Sequence, residues 1–136
     1  MAYTGQPVPS TVNPILRAKI SDGKSVIVTV PEKTKVEAQT FVLLDGFFGI
    51  AMETIETGEG ETAELALSIE QAEYETDQIT TSDTYKVGDL VYFKASTKKL
   101  TTNAGTEEAP NRLVGRVTSG KDENNVISFI LLPQIG

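Results

Sequence analysis

Carboxylates are the side chains of this sequence best able to support catalysis. The chain has no histidine and no cysteine, so it lacks the commonest general base, the commonest transition-metal ligand and any thiolate nucleophile. An acidic stretch runs from Glu53 to Asp77. Two carboxylates are enough for glycoside hydrolysis, so a hydrolase that uses carboxylates alone is one alternative. We favour a solvated acidic face, because the stretch lacks the ligand spacing of a calcium loop.

The segment Asp22-Gly23-Lys24-Ser25 resembles the end of a phosphate-binding loop, but the rest of that motif is missing. The motif needs a glycine where this chain has Ala18, and it needs a helix where residues 26–30 have the pattern of a strand. We interpret the segment as a turn before a strand and expect no nucleotide site. No Gly-x-Ser-x-Gly sequence surrounds a serine, so a nucleophile elbow is not indicated either.

Charge and hydropathy exclude further classes of partner. The formal net charge is −7, which argues against free nucleic acid, because phosphate binding depends on lysine and arginine. Residues 1–6 lack the basic and apolar regions of a signal peptide, and the longest apolar run, residues 126–132, is too short to cross a bilayer. We therefore expect no cofactor, no metal ion, no nucleic acid and no membrane partner, and synthesis in a cytoplasm.

The chain from about residue 24 onward has the pattern of short β-strands. Residues 62–70 alternate apolar and polar side chains, whereas a helix would place Leu65 and Leu67 about 200° apart. Asp45-Gly46 lies between two apolar runs and predicts a tight hairpin turn. The predicted strands, about seven in all, indicate an all-β fold, a small β-barrel or β-sandwich. They are residues 25–30, 41–44, 47–52, 62–70, 90–93, 113–117 and 126–132.

Both ends of the chain carry further predictions. The last predicted strand is apolar on both faces, which places it in the centre of a sheet or in a subunit interface. Residues 1–22 are predicted to be an extended N-terminal arm and residues 23–136 the β body, because prolines in the arm forbid a continuous helix. An alternative is that residues 15–20 form a first strand paired with residues 26–30 through Asp22-Gly23. The arm residues predicted to bind a partner are Pro7, Val8, Pro9, Val12, Pro14, Ile15 and Leu16.

Several landmarks in order give the chain a resemblance to a known family. They are Gly46-Phe47-Phe48-Gly49-Ile50-Ala51, Thr57-Gly58-Glu59-Gly60, Lys86-Val87-Gly88-Asp89-Leu90-Val91-Tyr92, Lys99-Leu100-Thr101-Thr102 and Leu113-Val114-Gly115-Arg116-Val117. With these landmarks, residues 26–132 resemble small phage and prophage proteins encoded beside capsid genes, some of which carry a label as RecA-like recombinases. Better understood relatives are capsid decoration, or cement, proteins, similar to the lambdoid head-decoration proteins. The glycine- and proline-containing motif of many members is missing from residues 69–79, and the arm is longer than usual.

The resemblance implies a structural protein and not an enzyme. It implies attachment to the major capsid protein on the exterior of a virion, as a homotrimer at three-fold positions, with stabilisation of the head. It gives no support for recombination, which would need the phosphate-binding loop that this chain lacks. The base domain of a head fibre or another virion component is an alternative within the same biology. A carboxylate-dependent hydrolase and a host-encoded small-barrel adaptor are alternatives from other classes.

Overall fold

The protein is an all-β structure, as the sequence predicts. A computed structural model describes residues 17–134, and every regular secondary-structure element in this part of the chain is a β-strand. They are β1 Ser25–Val30, β2 Lys35–Val36, β3 Phe41–Leu44, β4 Phe47–Ala51, β5 Ile55–Glu56, β6 Ala63–Ser68, β7 Glu73–Thr76, β8 Leu90–Lys94, β9 Lys99–Thr101, β10 Arg112–Ser119 and β11 Ile127–Leu131.

The strands form two main antiparallel sheets and a short ribbon. The first sheet has the order β1-β6-β4-β3 and the second the order β7-β11-β10-β8-β9, while β2 and β5 pair separately. The first sheet curls, and the Asp45 carboxylate at the β3–β4 turn accepts a hydrogen bond of 2.7 Å from the main-chain N–H of Thr29 in β1. The two outer strands of this sheet are thereby drawn towards each other, which gives the partly closed form of a small barrel.

The seven predicted strands are all present, and four more were missed. The missed strands, β2, β5, β7 and β9, have two to four residues each and few apolar side chains. Strand β11 lies between β7 and β10, so its predicted central place in a sheet is confirmed. Phe129 and Leu131 on its inner face are buried, whereas Ile130 on the outer face is 43% exposed.

The β3–β4 hairpin separates two hydrophobic cores. Its turn residues Asp45 and Gly46 have φ angles of 52° and 82°, the left-handed values of a type I′ turn. One face of the hairpin carries Phe41 and Phe48, which pack in a core with the second sheet. The opposite face contributes to a core with β1, β6 and the β2–β5 ribbon, through Ala51 and the partly buried side chains of Val42, Leu44 and Phe47. Because both faces are covered, the hairpin is apolar throughout instead of alternating.

Two glutamine side chains satisfy the main chain of this hairpin. Gln78 accepts a hydrogen bond from the Phe41 N–H at 2.9 Å and donates one to the Phe41 carbonyl at 2.8 Å. Gln134 makes the same pair of bonds with Phe48, both at 2.9 Å. Phe41 lies on an edge strand, and β4 pairs with β6 only through Ile50 and Ala51. Each carboxamide therefore replaces a missing strand, and the bonds tie the hairpin to the segments that follow β7 and β11.

Tyr85 fixes the loop that leads from β7 to β8. Its side chain is buried, and its hydroxyl lies 3.1 Å from the Thr80 carbonyl oxygen and 3.0 Å from that of Leu100. Burial, together with the negative charge of Asp83, raises the pKa of Tyr85 to about 12. The Asp83 carboxylate also accepts a hydrogen bond of 3.1 Å from the Thr102 N–H, so the loop is attached to β9 and the residue after it.

The segment before β1 is not a strand. Residues 17–24 have no strand pairing and all are exposed. The alternative of a first strand over residues 15–20 is therefore wrong for residues 17–20, since no partner takes up their main-chain groups there. Positions 15 and 16 lie outside the described residues, as does most of the predicted arm.

Replacing Gln78 by alanine should destabilise the fold by about 2 kcal/mol, because two half-buried main-chain groups of Phe41 lose their partners. Urea unfolding measures this change. Gln71→Ala is the matched control, since Gln71 is exposed, and it should leave the free energy of unfolding unchanged. A Gln78→Ala variant as stable as the wild type would show that the carboxamide does not support the hairpin.

Tyr85 should make the protein lose stability in alkaline solution. The phenol pKa is 10.0 ordinarily and about 12 in the folded chain, so the unfolded state releases the proton first as pH rises. The stability that the neutral Tyr85 side chain contributes to the folded state is complete below about pH 10 and is lost as the pH rises towards about 12. Tyr85→Phe should show a shallower decline than the wild type in urea unfolding between about pH 9 and about pH 11. Equal slopes for the two proteins would contradict the assignment.

Candidate partner-binding surface

The arm residues predicted to bind a partner lie outside the described part of the chain. They are Pro7, Val8, Pro9, Val12, Pro14, Ile15 and Leu16. The structure describes only the root of this segment, residues 17–24. There the Lys24 carbonyl accepts a hydrogen bond of 2.9 Å from the Ile69 N–H, so the chain joins the body at the start of β1.

The root of the arm and the first strand together expose apolar side chains. Ile20 is 99% exposed, and Ile27 on the outer face of β1 is 60% exposed. Lys19 and Asp22 form an ion pair of 2.6 Å, but both side chains are largely in solvent. A pair of this kind adds little stability. An apolar surface at the point where the arm leaves the body is suited to contact with another protein.

Carboxylates from the acidic stretch of the sequence lie on several elements of the body. Among residues 17–134, no group of three or more aspartate or glutamate side chains could hold a metal ion together. Individual carboxylates have structural partners instead: Glu73 accepts a hydrogen bond of 2.6 Å from the Thr118 hydroxyl, and Glu70 pairs with Lys24 at 3.5 Å. Tyr85 is likewise engaged with main-chain carbonyls. The acidic stretch of the sequence is thus distributed over the surface of several elements.

A groove runs along the free edge of β3. It consists of two adjoining hollows of about 610 Å³ and about 260 Å³, both lined by Leu43, Phe93 and Ala95. The larger hollow extends to the loop around Pro110 and the smaller one to the segment around Val36. We call this feature the β3 groove. Its position follows from the sheet order, because β3 has a strand neighbour on one side only.

The β3 groove is bordered by basic side chains although the protein as a whole is acidic. Lys94 and Arg112 line the larger hollow. Lys98 lines the smaller one, together with Lys35 and Glu37, which form an ion pair of 3.4 Å. Arg112 is held in place by a hydrogen bond of 2.7 Å from its guanidinium to the Gly46 carbonyl. Lys99 lines neither hollow, but it lies directly opposite Lys94 in the β8–β9 pairing, so the two side chains share one face of the sheet.

This groove was not predicted from the sequence. Its walls come from parts of the chain far apart in sequence, and β9, which carries Lys99, was one of the missed strands. The adjacent pair Lys98-Lys99 was the available signal, since adjacent lysines are unusual in a chain with a net charge of −7. Without the pairing of β8 with β9, nothing placed Lys94 beside them.

Comparisons with known proteins place the chain in a family. Among residues 17–134, no helix is long and apolar enough to cross a membrane. No curated protein matches the chain. Among solved structures, the N base of head fibre gp8.5 from bacteriophage phi29 is similar, with a TM-score of 0.42 and 13% identity over 79% of this chain and 94% of that chain.

The family model for phage cement proteins matches residues 20–133, well over half of the 136 residues. This match confirms the resemblance to capsid decoration proteins that the hairpin and the later strand landmarks indicated. It leaves most of the predicted arm outside the family model. The chain belongs to the phage cement protein family.

Proposed function

We propose that this protein is a capsid decoration protein, which binds the outer surface of a phage head and stabilises the assembled shell. The observation that carries the proposal is the match of the cement protein family to residues 20–133. The partner is the major capsid protein. The protein is made in the host cytoplasm, and its final location is the exterior of the virion.

The chemistry of the chain supports a structural role over catalysis. The sequence contains neither histidine nor cysteine. The carboxylates of residues 17–134 form no metal-binding group, and the Tyr85 hydroxyl is engaged with main-chain carbonyls in the interior. An antiparallel β body with two buried hydrophobic cores is a rigid support on which a binding surface can be held.

The arm is proposed as one contact with the capsid. Prolines at positions 7, 9 and 14 restrict the unbound segment, so less conformational entropy is lost when it is fixed on a partner. Val8 and Val12 supply apolar side chains that a purely solvated tail would not need. The family model begins at residue 20, so the proposed contact lies outside the part of the chain that the model matches.

A homotrimer at three-fold positions would join several weak contacts into one stable attachment. Three copies related by a cyclic axis meet three capsid subunits at once, and each contact after the first is effectively intramolecular. Exposed apolar side chains on the body are available for contacts between copies, among them Ile27 on β1 and Ile130 on β11. Such contacts would remove apolar surface from water.

Binding to heads that lack the protein tests the proposed function directly. Purified protein is mixed with such heads of the cognate phage, and the bound fraction is measured by co-sedimentation. Saturable binding with a fixed number of copies per head, together with a higher temperature of head disruption, is expected. Absence of binding to these heads would contradict the proposal.

Deleting residues 2–14 should leave the β body folded, with a melting temperature within a few degrees of the wild type. The deleted variant should bind heads about tenfold more weakly or worse, a loss of about 1.4 kcal/mol. Val8→Ser/Val12→Ser is the matched variant, because it keeps the length and the prolines and should also weaken binding. If the truncated protein binds as tightly as the full chain, the arm is not an anchor.

The oligomeric state should be a trimer, in solution or once the protein is bound to the head. Sedimentation equilibrium measures the first case, and three-fold clustering of the protein on particles shows the second. Ile130→Ser removes an exposed apolar side chain without changing the core, and it should weaken any trimer that forms through the outer face of β11. A protein that is monomeric in solution and shows no clustering on heads would contradict trimerisation.

A further inference from the structure

We propose that the β3 groove binds an extended acidic segment of the capsid protein. This inference rests on the proposed function and adds to it a second contact, on the body of the protein, with a partner of defined chemistry. Three properties lead to it: an open strand edge, apolar walls and the opposed lysines Lys94 and Lys99, which have no ion-pair partner within residues 17–134.

The strand edge is open at Leu43. Phe41 directs its N–H and carbonyl away from β4, towards Gln78, and the same orientation recurs two residues later in a strand. The N–H and carbonyl of Leu43 therefore point out of the sheet as well. Phe48 is the partner of Leu43 in the β3–β4 register. The Phe48 N–H points away from β3, towards Gln134, which agrees with an outward orientation of the main-chain groups of Leu43. Within residues 17–134, no side chain bonds to the main chain of Leu43.

Gln78 shows how this edge accepts a peptide-like group. Its carboxamide has the donor and the acceptor of a main-chain amide, and it occupies the place of a neighbouring strand at Phe41. An extended segment that continues from this point along β3 would meet the free groups of Leu43 next. Addition of a strand to a sheet edge uses main-chain hydrogen bonds for affinity and side-chain contacts for specificity.

The walls of the groove fit apolar side chains of such a segment. Leu43 and Leu113 are half-buried, and Ala95, Ala109 and Pro110 are exposed along the larger hollow. A strand alternates its side chains between two faces, so every second residue of the segment would face these walls. The remaining residues would face the basic border and the solvent.

The positive charge of the lysines beside the groove favours an anionic partner. Lys94 and Lys99 are directly opposite each other on neighbouring strands, an arrangement that destabilises a sheet. Among residues 17–134, neither ammonium group lies within salt-bridge distance of a carboxylate, whereas four other lysines do. Carboxylates of a bound segment would relieve this repulsion. The arm of a second copy is disfavoured, because residues 1–16 contain no aspartate and no glutamate.

Neutralising the opposed lysines tests the proposal on heads that lack the protein. Lys94→Gln/Lys99→Gln should bind about tenfold more weakly than the wild type and with less dependence on salt, while its melting temperature stays equal or rises. The matched control is Lys86→Gln/Lys121→Gln, which changes the net charge equally. Lys86 precedes β8, whereas Lys94 is its last residue, and the Lys121 ammonium donates a hydrogen bond of 2.6 Å to the Thr81 carbonyl in the loop before β8. Neither control lysine lines the groove. Equal binding by the groove variant and the wild type would overturn the groove and leave the decoration role intact.

A peptide titration tests the groove without any capsid. An eight-residue alternating valine–glutamate peptide should shift the amide resonance of Leu43 in the wild type, and the valine–lysine peptide should not. If the wild type fails to bind heads, the decoration role fails, and this titration alone decides the groove: no shift at Leu43 overturns it. Sedimentation of the groove variant tests whether a second copy of this chain occupies the groove instead. A change of oligomeric state on loss of Lys94 and Lys99 would assign the groove to a second copy and contradict the proposal.

Discussion

The covering of the β3–β4 hairpin on both faces is the constraint on which the rest of the structure depends. The stacked rings of Phe41 and Phe48, with centroids 5.4 Å apart, fill one core, and Ala51 belongs to the other. Phe41 and Phe48 are buried, so their outward main-chain groups need hydrogen-bond partners from the protein itself. The carboxamides of Gln78 and Gln134 form hydrogen bonds with the main-chain N–H and carbonyl groups of Phe41 and Phe48. These bonds fix the second sheet to the first.

The same arrangement determines what remains open for binding. Gln78 closes the edge of β3 at Phe41 but not at Leu43, so the free edge is short and is bordered by the β8–β9 pair with its lysines. At the other side of the first sheet, β1 leads back to the exposed root of the arm. A cement protein with both contacts would hold the capsid at two separate points, and two linked contacts are stronger than either alone.

Local sequence patterns predicted the strands and turns that depend on neighbouring residues in the chain. The alternation of residues 62–70 identified β6, and Asp45-Gly46 identified the tight turn because few residues adopt positive φ at both positions. Strands β2, β5, β7 and β9 were not predicted, since they are short and polar. Their formation depends on pairing with a neighbouring strand and not on their own sequence. The two glutamine contacts span 37 and 86 residues, and no local pattern indicates them. The β3 groove was missed for the same reason, whereas the family was recognised because its landmarks are short and lie in order.

The central claim is that this protein is a component of the outer surface of a phage head, and an electron cryomicroscopy reconstruction of the parent virion tests it most directly. The all-β body should fit density above the capsid shell at three-fold positions, with residues 17–24 directed towards the major capsid protein. A well-resolved virion with no such density on its outer surface, in a preparation where the protein is present, would contradict the claim.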